Sequence, residues 1–119
     1  MSKSAIFPLI FIEKPLLWTY VTGNEQWKIE ANKGEYDAES NQIKLIDSLQ
    51  AQLQNSETNR KFNAQDLMIN LENKHAFTDN GITISENQFK LSGQIAKLDL
   101  STNLIEVNKN VKAIYKSAK

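Results

Sequence analysis

Three stretches of the chain superpose without a gap, and that repeat constrains the fold more than any single residue. They begin at Ala31, Ala64 and Gly93, at intervals of 33 and 29 residues. On the outgoing limb Tyr36, Ile69 and Leu98 coincide, then Asp37, Asn70 and Asp99, then Ala38, Leu71 and Leu100. A polar tip follows in each copy: Glu39-Ser40-Asn41, Glu72-Asn73-Lys74 or Ser101-Thr102-Asn103. The return limb aligns Ile43, Ala76 and Ile105, then Leu45, Thr78 and Val107. Beyond a polar break it aligns Leu49, Ile82 and Val111, then Ala51, Ile84 and Ala113. A unit of this size cannot cover its own apolar face, so stacked copies must bury one another's. Period-two alternation prevails over helical spacing, so the units are antiparallel β-strands in an elongated two-layer structure. Two such layers lie about 10 Å apart, with the gap filled from both inner faces. A stack has two ends, and an end strand carries unpaired backbone groups that another chain can take up.

Local signals refine this picture. Leu17, Thr19 and Val21 alternate with Trp18 and Tyr20 before the turn dipeptide Gly23-Asn24. Asn55 to Asn59 is polar throughout and predicts a longer loop. Within the second copy the apolar phase changes from even (Phe62, Ala64) to odd (Leu67, Ile69), which calls for a bulge near Gln65-Asp66. The same switch recurs in the other copies, as expected of a bend that curls the sheet. Asn80-Gly81 is a hairpin or bulge signal. The small residues Ala31, Ala64 and Gly93 at one repeat position leave room for close approach of a facing segment, or are a coincidence of common residue types.

At 119 residues the chain fits one domain, long enough to bury a core without staples. Lys and Arg total 14, as do Asp and Glu, so the formal net charge is zero, which argues against a nucleic-acid binder. With no cysteine and His75 as the single histidine, a disulfide framework, a zinc site and a Cys/His nucleophile are excluded or implausible. His75 belongs to a predicted solvated turn. The carboxylates are scattered. Asp37 and Asp99 share a repeat position with Asn70, which favours turn capping, an act Asn can perform, over proton transfer, which it cannot. There is no Gly-rich phosphate loop and no nucleophile elbow, so no catalytic residue, metal site or cofactor is expected, and the chain does not read as an enzyme. Among the aromatic residues, Trp18, Tyr20, Trp27, Tyr36, Phe62, Phe89 and Tyr115 mostly share phase with aliphatic neighbours and are expected in the core. Phe77 stands level with Lys44 and Glu106 and is expected to face outward. Ala5 to Ile12 is an apolar run of eight residues broken by Pro8, too short for a spanning helix of about 20.

From Pro15 onward the chain resembles the periplasmic domain of the lipopolysaccharide transport family LptC. The matching pieces are Pro15-Leu16-Leu17-Trp18-Thr19-Tyr20 and Trp27-Lys28-Ile29-Glu30-Ala31-Asn32-Lys33-Gly34, the latter similar to the family's W-x-[VI]-x-A-x-x-[GA]. Ile69-Asn70-Leu71 and Thr78 to Ile84 resemble its middle segment, and Phe89-Lys90-Leu91-Ser92-Gly93 its L-x-[ML]-x-G piece. The resemblance covers about 100 residues in order. It implies an elongated, twisted antiparallel β-jelly roll built from stacked hairpin repeats, all-β and spanning 15–116. Residues 1–14 are then a truncated or replaced lead-in without the family's membrane anchor, and 117–119 a frayed tail.

The same resemblance implies a periplasmic component that receives lipopolysaccharide from an inner-membrane ATP-driven transporter and passes it to the bridge protein LptA. Acyl chains would lie in an open apolar groove between the layers. Its lining is expected from Trp27, Ile29, Tyr36, Ile43 and Leu45 in the first third. The middle would supply Ile69, Leu71, Ile82 and Ile84, and the last part Leu91, Leu98, Leu100, Ile105 and Val107. The C-terminal edge, Val107, Val111, Ala113 and Tyr115, is expected to dock the bridge protein by strand addition. Two alternatives stay open on the residues alone: a strand-addition assembly module that associates edge to edge without lipid, and a carbohydrate-binding β-domain.

Overall fold

Polar breaks decide where each strand turns, because their residues take left-handed backbone. At the three tips Asn41, Lys74 and Asn103 occupy one repeat position, with φ of 56°, 66° and 66°. On the return limbs Ser48, Gly81 and Asn110 occupy another, with φ of 58°, 102° and 54°. Asn and Gly tolerate this region, whereas Lys and Ser do so at some cost.

The computed structural model describes residues 9–21 and 23–115. It contains twelve strands: β1 (Leu9–Glu13), β2 (Leu16–Tyr20), β3 (Gln26–Glu30), β4 (Lys33–Asp37), β5 (Gln42–Gln54), β6 (Lys61–Asn70), β7 (His75–Thr78), β8 (Ile82–Glu86), β9 (Phe89–Gly93), β10 (Ile95–Asp99), β11 (Leu104–Asn108) and β12 (Lys112–Tyr115). All pairings are antiparallel and all twelve strands belong to one sheet that does not close. The body is elongated, 63 × 33 × 23 Å. Residues 117–119, expected to fray, lie outside the described residues.

The sheet is creased into two halves. One half runs β1-β4-β5-β6-β7-β10-β11, and the other β2-β3-β5-β6-β8-β9-β12. Strands β5 and β6 pass through both. Gln42–Ile46 pairs with Asp66–Asn70 in the first half, and Leu49–Gln52 with Lys61–Ala64 in the second. The crease lies between these blocks, where Asp47 and Ser48 stand opposite the single Gln65. The bulge signalled near Gln65-Asp66 is thus at the right level, with its extra residue on the facing limb. The recurrent change of apolar phase has one cause: each outgoing limb crosses the crease there and passes from one half to the other. Backbone bonds stitch the crease lengthwise, from Asn32 N–H to the Asp47 carbonyl (3.0 Å) and from Gln94 N–H to the Lys109 carbonyl (2.9 Å).

Asn80-Gly81 makes a crease bend and not a hairpin. Strand β7 before it pairs with β6 and β10, while β8 after it pairs with β6 and β9. Gly23, with φ of 78°, does turn the β2–β3 hairpin. Leu9–Glu13, within the lead-in of the sequence pattern, form β1 and pair with β4 along their whole length.

Between the halves the inward rows of both meet. Trp27, Ile29, Leu45, Leu49, Phe62, Leu67, Ile69 and Leu100 are at most 1% exposed and belong to one continuous core. The indole of Trp27 packs on the Phe62 ring, with centroids 5.2 Å apart and planes tilted by 56°. Burying a large side chain of this kind stabilises by about 1.5–3 kcal/mol, which makes this interior the main source of stability.

Candidate functional site

Three features place functional side chains: the apolar interior, its two unpaired edges, and the mouth between tips and loops. The alternation of each strand decides which residues enter the interior. All fourteen residues expected to line it face the core or its margin. Nine are buried: Trp27, Ile29, Ile43, Leu45, Ile69, Ile82, Ile84, Leu98 and Leu100. Tyr36, Leu71, Leu91, Ile105 and Val107 are partly buried and packed against them. Leu49, Ala51, Leu53, Phe62 and Leu67 share this interior. Their odd or even alternation already carried the signal, although they fall outside the expected lining.

The interior changes character along its length. Around Trp27, Leu45 and Leu67 the halves are in contact and the space is closed. Towards the last strands they are less well covered. Phe89 is 40% exposed and Tyr115, its partner across the β9–β12 ladder, 70%. The groove expected to be open along the stack is packed in the middle, and its inward row is less covered towards the last strands.

Among the described residues both ends of the stack are unsealed: strands β11 and β12 pair only with β10 and β9, and β1 and β2 only with β4 and β3. Each edge is one chain segment creased across both halves. Of the residues expected at the C-terminal edge, Val111, Ala113 and Tyr115 are exposed and Val107 is half-buried. Ile114, 52% exposed on the same strand, belongs with them. Gly93 packs under this edge. A Cβ there would overlap Val107 Cγ1 and stand 3.3 Å from the Lys109 carbonyl oxygen, so in the third copy the absence of a side chain at Gly93 is a steric requirement.

The core expectation for the aromatic residues holds for Trp27 and Phe62 and fails for four others. Trp18, Tyr20, Phe89 and Tyr115 are all at least 40% exposed. Leu16, Trp18 and Tyr20 form the outward row of edge strand β2, with the Lys28 ammonium 5.8 Å from the Trp18 ring centroid. Alternation tells which residues share a face, but on an edge strand it does not tell which face is covered. Phe77 does face outward, 43% exposed, beside Met68 across the β6–β7 ladder.

The tips are held by the carboxylate or amide at the shared repeat position. Asp37 Oδ1 accepts from the Glu39 amide (3.0 Å), and Asn70 Oδ1 from those of Glu72 (2.8 Å) and Asn73 (3.1 Å). Asp99 Oδ1 accepts from the Ser101 amide (3.0 Å), the Ser101 hydroxyl (2.7 Å) and the Thr102 amide (3.3 Å). The Ser101 hydroxyl is the chief reason why the Asp99 carboxyl is held below its ordinary value of 3.8, partial burial opposing it and the backbone amides adding to it. His75 opens β7 rather than lying in the tip; its Nε2 is 3.4 Å from Asp99 Oδ2, with the ring exposed.

At the mouth one side chain joins loop to tip. Arg60, in the loop before β6, directs Nε and Nη2 to Glu86 Oε1, each at 2.7 Å, and Nη1 to the Asn103 carbonyl (2.8 Å) and Oδ1 (2.9 Å). Glu86 ends β8 in one half; Asn103 is the last tip of the other. This guanidinium has no counterpart in the repeat pattern, and its partners are 26 and 43 residues away, so sequence gave no signal for it.

Among the described residues there is no group of three or more His, Asp or Glu side chains placed to hold a metal ion, and no helix long and apolar enough to cross a membrane. The class these features define is a creased, open antiparallel β-jelly roll whose apolar interior runs to an edge left unpaired among the described residues. Comparison with protein families agrees: residues 8–116 match the family described as lipopolysaccharide-assembly, LptC-related, and the chain belongs to it. It is a component of lipopolysaccharide transport. No curated protein matched the chain.

Proposed function

We propose that the interior between the two halves takes the acyl chains of lipopolysaccharide, while sugars and phosphates stay in water outside the mouth. The protein would receive lipid in the periplasm from an inner-membrane ATP-driven transporter and hand it to LptA docked on β11 and β12. One observation supports this above others. A continuous apolar interior, lined by residues from all three copies, leads to an end where Phe89, Val111 and Tyr115 are exposed beside strands whose outer edges have no partner among the described residues. Each buried methylene contributes about 0.8 kcal/mol, so a multi-chain lipid fully enclosed would never leave. A closed middle and a less covered exit give partial burial, which suits a carrier that must release. Entry through the middle requires the halves to part, and the route of least rearrangement is along the less covered end.

Photo-crosslinking side chains test the route. Placed at Ile69 or Leu100, inside, they are expected to capture lipopolysaccharide; at Phe77, on the outer face of the same half, they are not. Capture at Phe77 with none at Ile69 or Leu100 would place the lipid outside and end this reading.

A further inference from the structure

The interior contains a polar pair that its apolar surroundings leave unused. Thr19 and Trp27 stand directly opposite each other across the β2–β3 ladder, and both point inward. Thr19 is 8% exposed and Trp27 fully buried. Neither Thr19 Oγ1 nor Trp27 Nε1 has a hydrogen-bond partner among the described residues. Buried hydroxyl and indole N–H groups ordinarily find partners, because leaving them unpaired forfeits their hydration without replacement. The Cβ atoms of directly opposed cross-strand residues lie about 4.5–5.5 Å apart, so both side chains enter the same part of the interior. Their surroundings are apolar: Leu53 is opposite Trp27 on β5, and Phe62 covers the indole face.

The donor set fixes what would satisfy them. Indole Nε1–H only donates, whereas a threonine hydroxyl donates and accepts. A single hydroxyl oxygen between them could accept from Nε1 and donate to Oγ1, serving both. We propose that Thr19 and Trp27 form a subsite inside the apolar interior that recognises a hydroxyl group carried on an acyl chain. It would select hydroxylated chains over unsubstituted chains of equal length. The subsite rests on the interior being an acyl-chain site, and adds a chemical preference to it. A site with unpaired polar groups rejects the analogue that lacks the matching hydroxyl, since that analogue leaves the groups unpaired.

The test uses dodecanoate and a series of hydroxydodecanoates in which the hydroxyl is walked along the chain, with binding measured by calorimetry. One positional isomer is expected to bind roughly tenfold more tightly than dodecanoate. Thr19→Val keeps the side-chain shape and is expected to abolish that preference while leaving dodecanoate affinity unchanged. Replacing the Trp27 indole by a benzothiophene of the same shape, which lacks the N–H, is expected to abolish that preference as well. A second readout needs no ligand: Thr19→Val should raise the melting temperature by a few degrees, roughly the scale of removing one unpaired buried hydroxyl. A fall in melting temperature, or an isomer preference that survives both replacements, would overturn the subsite. Equal binding of all isomers and dodecanoate would overturn it too, with the acyl-chain reading intact. Failure of dodecanoate and every isomer to bind would overturn both.

Discussion

Arg60 and Asn103 lie 43 residues apart in sequence, yet the Arg60 guanidinium donates to both the backbone carbonyl and the side-chain oxygen of Asn103, at 2.8 and 2.9 Å. The contact ties a loop of one half of the creased sheet to a tip of the other. Glu86 fixes the guanidinium from the loop side, so the tie has a charged anchor and a neutral far end. That asymmetry gives a joint that can release at Asn103 without leaving an unpaired charge.

Removing the tie should loosen the mouth without disturbing the core. Arg60→Ala is expected to lower stability by about 1–2 kcal/mol, the scale of partly exposed charge-assisted hydrogen bonds. Amide exchange should speed up at Asn103 and Leu104 and stay unchanged at Leu45 and Leu67. Glu86→Gln, which keeps the Asn103 contacts, should cost less. Denaturant titration with residue-resolved hydrogen exchange checks all three expectations.

The last tip should respond to acid. The Asp99 carboxyl is held below its ordinary value, foremost by the Ser101 hydroxyl. A depressed folded-state value means that its contribution is present above the usual carboxylate range. The contribution fades as pH falls below 3.8 and through the depressed value. The Ser101 and Thr102 amides should therefore lose protection only in strong acid. Asp99→Asn should remove this pH dependence while keeping a weaker cap, as Asn70 does in the second copy. Amide chemical shifts across an acid titration report it directly.

Gly93 should not tolerate a methyl group. Gly93→Ala drives Cβ into Val107 and towards the Lys109 carbonyl, so the C-terminal crease must shift. A loss of about 1–3 kcal/mol is expected, as for overpacking elsewhere. Ala64→Gly, at the same repeat position in the second copy, should cost only the loss of its methyl and added backbone freedom. Melting curves of the two variants separate the cases.

Strand addition at the C-terminal edge should be sensitive to charge. Ile114 is exposed, so Ile114→Lys should leave the melting temperature nearly unchanged. An edge lysine discourages pairing by another chain. If the edge docks LptA as proposed, binding measured by surface plasmon resonance should weaken by roughly tenfold, the scale of one lost interface contact. Unchanged affinity would move the docking surface elsewhere.

What the sequence revealed was whatever physics keeps local. Asp37, Asn70 and Asp99 announce tips because a turn cap bonds amides two or three residues on. The inward rows from Ile43 to Val107 were legible because a strand's alternation has a period of two everywhere. Asn80-Gly81 left hairpin and bulge open because the dipeptide fixes a bend, while strand pairing decides whether the two arms meet or enter different halves. Trp18 and Tyr20 looked like core because their strand alternates properly; their exposure follows from β2 being an edge, a property of the whole sheet. The Arg60 tie and the Thr19–Trp27 pair depend on contacts that no local pattern encodes.

The two tryptophans offer the most direct test of the central claim, because Trp27 is buried inside and Trp18 stands 49% exposed on the outer face. In Trp18→Phe and Trp27→Phe variants, each with one emitter, fluorescence is followed on adding lipopolysaccharide with brominated acyl chains. The account predicts strong quenching of Trp27 and little of Trp18. Quenching of Trp18 with Trp27 unaffected would contradict it.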